Sequence, residues 1–203
     1  MIKKAKRNKE ALDIFKGFAD AIADIPVRDG FSEAIDAILK CHGTIIVTGM
    51  GKAGHAMKKF SSLLCSLGFP SVYIHPGESS HGDLGMVTHK DVLFVASTSG
   101  KTREVIEMMK QAKENGVSKI IGITSHKDGW IRKDCDIIVE MGNIKEAGHL
   151  GLAPTTSILV MLAITDAIAL ICAKEEGLTK EKYARFHHSG YLGSLARNDK
   201  RIL

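Results

Sequence analysis

Several features that would mark a protein class are scarce or missing in this 203-residue sequence. Its four cysteines, Cys41, Cys65, Cys135 and Cys172, lie far apart and show no CxxC spacing of the metal-binding type. They are expected as reduced core thiols in a cytoplasmic protein, with no metal. Aromatic residues make up only 5% and do not interleave with basic ones, which gives a single-strand nucleic-acid surface little support. There is no internal repeat and no low-complexity linker. The N-terminus carries charge but no apolar run of the signal-peptide kind. The one long hydrophobic stretch, Thr156 to Ala173, contains Asp166, so it reads as a buried core or interface helix and not a membrane span. The formal charge of +5 owes part of its excess to Lys3, Lys4, Lys6, Arg7 and Lys9, expected as a solvated, frayed end and not as a nucleic-acid arm.

What is present is an ordinary soluble composition, 44% hydrophobic and 25% charged, in a chain long enough for one domain with a sizeable core. Ala11 to Ile25 has a helical stripe of Leu12, Phe15, Phe18, Ala19, Ile22 and Ile25 that ends at Pro26, and Phe31 to Leu39 repeats the period. Strands are predicted at Thr44–Thr48, Ser71–Ile74, Asp91–Ala96, Ser118–Thr124 and Asp136–Glu140. Helices are predicted at Gly51–Leu67, after the loop that follows Ala96, and from about Thr156 to Glu176; a last short helix and a tail follow Gly177. Strands alternating with helices predict α/β architecture: a single-domain αβα sandwich with a five-stranded parallel sheet. The domain spans 1–203, with N-terminal helices over about 8–40, a sheet core over about 44–176 and a C-terminal helix and tail over 179–203.

In such a sheet, loops at the carboxyl ends of the strands gather along one edge, where ligands bind. Three of them are chemically loaded. Ser97, Thr98, Ser99, Gly100, Lys101 and Thr102 join a strand to a helix, and hydroxyls with free helix-start N–H groups suit a phosphate. The same residues also suit a plain N-capping turn. They imitate a Walker A loop, but that loop needs glycine where Val95 stands. The second loop, Gly49-Met50-Gly51-Lys52-Ala53-Gly54, matches the dinucleotide fingerprint GxGxxG. The acidic residue that should follow about twenty positions on is missing, since the next strand ends at Ile74-His75 and Glu78 lies beyond a Pro-Gly turn. Its glycines equally let a sugar phosphate approach the backbone, with Lys52 as charged donor. The third loop holds His75, Glu78, His81 and Asp83, groups able to move protons or bind metal, or to serve structure; no HxxxH or compact Cys/His spacing supports a metal. Glu104, in the first turn after the hydroxyl loop, either stabilises the helix dipole or acts as a base beside an anchored substrate.

Together GMGKAG, HPGE..HGDLGMV, S.SG.T.E and LGLAPTTS (Leu150 to Ser157) resemble the sugar isomerase (SIS) domain, and more closely its arabinose 5-phosphate isomerase branch. The likeness runs from about Thr44 through Gly193. It implies the SIS fold and a cytoplasmic aldose–ketose isomerase interconverting D-ribulose 5-phosphate and D-arabinose 5-phosphate. That product feeds synthesis of the acidic sugar Kdo for surface polysaccharide. By the same resemblance the catalytic positions are Lys52, His81, Glu104 and a late histidine at His187, the last reaching a neighbouring subunit's site within a homotetramer. Gly51, Ser97, Thr98, Ser99 and Thr102 match the substrate and phosphate contacts, and His75 remains a further candidate.

The chemistry suits these residue types. An enediol route needs a base to move a proton between adjacent carbons, an acid to open the sugar, and fixed positive charge for the developing oxyanion. Glu104, His187 or His81, and Lys52 fill those roles, and no cofactor is required. Some residues depart from the family pattern. His188 stands where the family has proline, leaving His187 and His188 both eligible as the late histidine. Lys101 replaces an acidic residue, and Gly148-His149 replaces Cys-Pro. The 203 residues hold none of the paired CBS domains frequent in this branch, so the expectation is an SIS domain without them. Two alternatives stand beside this reading: a phosphosugar sensor without turnover, and an isomerase of another sugar phosphate.

Overall fold

The computed structural model describes residues 2–197; Met1 and the end of the expected tail, 198–203, lie outside the described residues. Five strands form one parallel sheet: β1 (Ile45–Gly49), β2 (Ser71–Tyr73), β3 (Val92–Ala96), β4 (Lys119–Thr124) and β5 (Ile137–Glu140), in the order β2-β1-β3-β4-β5. Strands β1 and β3 are buried at every residue, as continuous Ile, Val, Leu and Phe runs require in a sheet covered on both faces. Their side chains alternate between two cores. Ile45 and Val47 of β1, with Val92 and Phe94 of β3, face helices α2 (Asp29–Leu39), α3 (Gly51–Ser66) and α5 (Thr156–Glu175). Ile46, Leu93 and Val95 face α4 (Arg103–Glu114). The αβα sandwich with five parallel strands is therefore as predicted, most boundaries shifting by a residue.

Helix α3 shows how the period becomes packing. Met57, Phe60 and Leu64 fall on one stripe and are wholly buried, and the Phe60 ring meets Phe94 edge-on at 5.4 Å between centroids. Gly68, at φ +96°, ends the helix in the left-handed conformation, and the Phe69 N–H donates to the Leu64 carbonyl at 2.9 Å. Helix α5 is long and apolar enough to cross a membrane by length and composition alone. Its residues Val160, Met161, Ile164, Ile168 and Cys172 are instead buried against α1, α2 and α3, so it is a core helix.

Four expectations need correction. Helix α1 (Ile2–Ala23) begins well before Ala11, so the basic start is helical and solvated rather than frayed. Its apolar stripe is split: Ile14, Phe18 and Ala21 are half-buried, while Leu12, Phe15 and Ile22 face outward, because α5 covers only one side of it. Two short helices close the described chain where one was predicted, α6 (Lys180–Phe186) and α7 (Gly190–Ala196). All four cysteines are free thiols, but only Cys172 is fully buried, and Cys65 stands exposed on α3. Burial pushes the Cys172 thiol up to about 12.

The sheet order reverses between β1 and β3: from β1 the chain goes out to β2, then returns to the other side. The register places Gly49 beside Ala96 at the carboxyl ends of these strands. Loops leaving β1 and β3 therefore diverge from one point, the crevice where open α/β sheets hold ligands.

Candidate functional site

A cavity of about 280 Å³ lies in that crevice, walled by Met50, Lys52 and Ala53 from the β1 loop and by Ser97, Thr98, Ser99 and Thr102 from the β3 loop. His126, Pro154 and Ile158 complete its wall. Two helix starts converge on it, α3 and α4, neither sealed by a side-chain cap. Each presents unsatisfied N–H groups and the positive end of its dipole.

The hydroxyl loop is tightly organised. Ser97 is buried; its Oγ accepts the Gly100 N–H at 3.0 Å and lies 2.9 Å from Thr102 Oγ1. Ser99 Oγ accepts the Lys101 N–H at 3.2 Å. The backbone N–H groups of Thr98, Ser99, Thr102 and Arg103 have no hydrogen-bond partner among the described residues. From behind, the β4 loop grips this turn. The Thr98 carbonyl accepts from Ser125 N at 3.1 Å, His126 N at 3.3 Å and Thr124 Oγ1 at 3.2 Å, and the Gly100 carbonyl accepts from Ile131 N at 3.0 Å. Lys101 pairs with Asp128 at 2.5 Å, so it points to the β4 loop and is not one of the cavity's lining residues.

Two glycines of the β1 loop, Gly49 and Gly54, serve close packing. A Cβ on Gly54 would come within 2.7 Å of the Tyr73 hydroxyl, which itself donates to the Gly49 carbonyl at 2.8 Å. Gly51, at φ +58°, starts α3 in a conformation other residues rarely adopt and faces open space. These roles account for GxGxxG without a dinucleotide. Among the described residues, no group of three or more His, Cys, Asp or Glu side chains gathers as a metal site.

The structure brings Lys52, Ser97, Thr98, Ser99 and Thr102 together around one cavity; Gly51 stands between the lining residues Met50 and Lys52 in the chain but is not itself one of them. Glu104 is half-buried in the first turn of α4 and does not line the cavity. His75 and His81, on the loop after β2, are not among its lining residues. The His75 Nδ1 accepts the Gly77 N–H at 3.2 Å, and His81 is exposed in a short 3-10 turn, Ser79–His81. His187 follows α6; its ring stacks on Tyr183 at 4.0 Å and its Nδ1 lies 3.1 Å from the Tyr183 carbonyl oxygen, while His188 is exposed. The neighbouring Phe186 ring lies against Gly68, just past the end of α3. Lys52 sits at the start of that 16-residue helix, roughly 24 Å along its axis. His187 thus stands at the opposite edge of the sheet from the cavity of its own chain.

Two residues escaped the sequence reading. His126 comes from the β4 loop, whose sequence carries no recognisable motif. Glu146 is half-buried, and its Oε2 accepts from Thr155 N at 2.8 Å and Ser157 N at 3.2 Å, capping α5 just behind Pro154 and Ile158. Burial raises its pKa, but the hydrogen bonds from Ser157 and Thr155 outweigh that and hold the carboxyl below its usual range. A carboxylate ten residues ahead of a Thr-Ser helix start was the available signal.

Sheet topology and cavity together define an open parallel α/β protein with an anion-receptive site where the strand order reverses. The SIS domain family matches residues 38–171, and the chain belongs to that family. It is similar to arabinose 5-phosphate isomerase KdsD of Yersinia pestis, with 39% identity over 167 residues, covering 82% of this chain and 51% of that protein. Among solved structures, a Bacteroides fragilis protein provisionally called a phosphosugar isomerase involved in capsule formation superposes with a TM-score of 0.88 and 35% identity. The match covers 91% of this chain and 99% of that one. Escherichia coli CFT073 c3406, solved in complex with A5P, gives a TM-score of 0.81 and 31% identity over 89% of this chain and 98% of that one. The chain spans about half the length of the curated relatives it matches.

Proposed function

We propose that this chain is a sugar-phosphate isomerase of the cytoplasm, interconverting D-ribulose 5-phosphate and D-arabinose 5-phosphate through an enediol and supplying Kdo synthesis for surface polysaccharide. One observation carries the reading: hydroxyls of Ser97, Ser99 and Thr102, free amides of two helix starts and the Lys52 side chain surround a single cavity at the strand-order reversal. A phosphate fits that donor set, and the names of the relatives point to the pentose. Lys52 orients the substrate and offsets oxyanion charge, Glu104 moves the proton between carbons, and His81 or His187 acts in ring opening. No cofactor is invoked.

The separation of His187 from its own cavity supports a site completed by a neighbouring copy, within a homotetramer. Exposed Leu12, Phe15, Leu170, Phe186 and Tyr191 supply apolar surface for such an assembly. Incubation with ribulose 5-phosphate, followed by assay for arabinose 5-phosphate, tests the proposal. Product supports it; tight phosphosugar binding without product favours a sensor, and turnover of a different sugar phosphate moves the substrate.

A further inference from the structure

His126 lines two separate concavities. One is the hydroxyl cavity; the other is a larger groove of about 590 Å³ between the ends of β4 and β5. Arg28 enters that groove from the linker before α2, Lys127 and Asp128 from the β4 loop, and Glu140 and Asn143 from β5 and its exit.

The charges in this groove do not cancel. Both Glu140 oxygens are occupied by the Arg132 guanidinium, at 2.7 Å each, in a two-pronged pair. Arg132, with Arg28 and Lys127 adding at longer range, holds the Glu140 carboxyl below its usual range. Asp128 is engaged by Lys101. Each acid of the groove is thus matched by a cation that does not line it. Arg28 and Lys127 remain: among the described residues, neither side chain makes an ion pair or hydrogen bond. An unpaired cation on open surface is ordinary. Two in one concavity concentrate positive potential there, because the low-dielectric walls focus the field.

We propose that this groove is a second anion site, sharing His126 with the hydroxyl cavity, and that it takes a second phosphate monoester. The ligand class is a sugar or polyol carrying two phosphates, one held by the hydroxyl loop and one by Arg28 and Lys127. The inference rests on reading the hydroxyl cavity as the holder of the first phosphate. Such a ligand occupies the cavity without reacting, which makes the protein sensitive to bisphosphorylated sugars.

Calorimetric titration of the full chain at low salt with a pentitol 5-phosphate, the matching 1,5-bisphosphate and inorganic phosphate tests it. The bisphosphate is expected to bind on the order of tenfold tighter than the monophosphate, because its second group binds at high effective concentration. In the R28Q/K127Q variant this advantage disappears while monophosphate affinity stays, which also reports an intact fold. Equal affinities in the unaltered protein, or an advantage that survives in the variant, overturn the proposal. Two sites for inorganic phosphate, one lost in the variant, with no bisphosphate advantage would keep the anion site and overturn the bridging ligand. Normal monophosphate binding without the advantage removes this inference alone; no binding of either phosphosugar removes the phosphate reading of the cavity with it.

Discussion

Gly100 and Gly129 touch through their backbones: a Cβ on Gly100 would lie 2.7 Å from the Gly129 Cα, and one on Gly129 would lie 3.1 Å from the Gly100 Cα. The hydroxyl loop and the β4 loop are pressed together at this contact, with Ile131 N and Lys101 closing it on either side. Gly129 has φ −63° and tolerates a side chain conformationally, so the obstacle there is purely steric.

Substituting alanine for Gly129 should therefore push the hydroxyl loop away from its support. The overpacking should cost about 1–3 kcal/mol by urea unfolding. Phosphosugar affinity should drop with it. Unchanged affinity and stability would show that the contact relaxes freely.

Glu104→Gln should abolish turnover while sparing phosphosugar binding, since the amide keeps the shape but cannot accept a proton. Lys52→Met should raise KM and lower kcat together, because the cation is assigned both to orientation and to developing charge. Steady-state kinetics beside equilibrium binding separates the two patterns. A Glu104→Gln enzyme with ordinary kcat would remove that residue from the mechanism.

Glu146 gives a pH dependence with a defined sign. Its folded pKa lies below the usual 4.5, so its contribution is complete above about pH 5 and is lost as pH falls through the folded value. Glu146→Gln should lower stability by about 1 kcal/mol at pH 7, the size of a helix-cap effect. The difference between the two proteins should shrink toward pH 3. A constant gap in urea midpoint from pH 7 to pH 3 would contradict the assignment.

If His187 serves a neighbouring copy, two inactive variants should rescue one another. Lys52→Met and His187→Ala proteins, unfolded together and refolded as a mixture, should regain activity on the order of a quarter of the original, since only some mixed sites carry both intact groups. No regain in a mixture shown by mass to exchange subunits would place both groups in one chain.

The sheet was legible because β1, β3 and β4 are short β-branched runs with turn residues at both ends, and α3 and α4 carry a clear helical period. The hydroxyl loop was legible for a local reason as well: strand, small residues and helix follow one another within a few positions. What escaped depends on distance along the chain. His126 reaches the cavity only because β4 lies next to β3 in the sheet, and Glu146 gains its role from a helix start ten residues later. The stripe on α1 failed differently. Its spacing shows an apolar face, but not that Leu12 and Phe15 lie on the side that α5 leaves uncovered. His75 and His81 looked like members of the same cluster because their loop also leaves a carboxyl edge, yet that loop folds into short turns and neither histidine lines the cavity.

The three donors on the Thr98 carbonyl have a consequence one atom further on. A trans peptide unit is rigid and flat, so its C=O and the next residue's N–H point in opposite directions. Anchoring that oxygen toward Thr124, Ser125 and His126 turns the Ser99 N–H the other way, away from the β4 loop. A donor on the cavity side of the loop is thus held in place from behind, by the Ser125 and His126 amides and the Thr124 hydroxyl, and loosening that grip would blur recognition without removing a donor from the cavity.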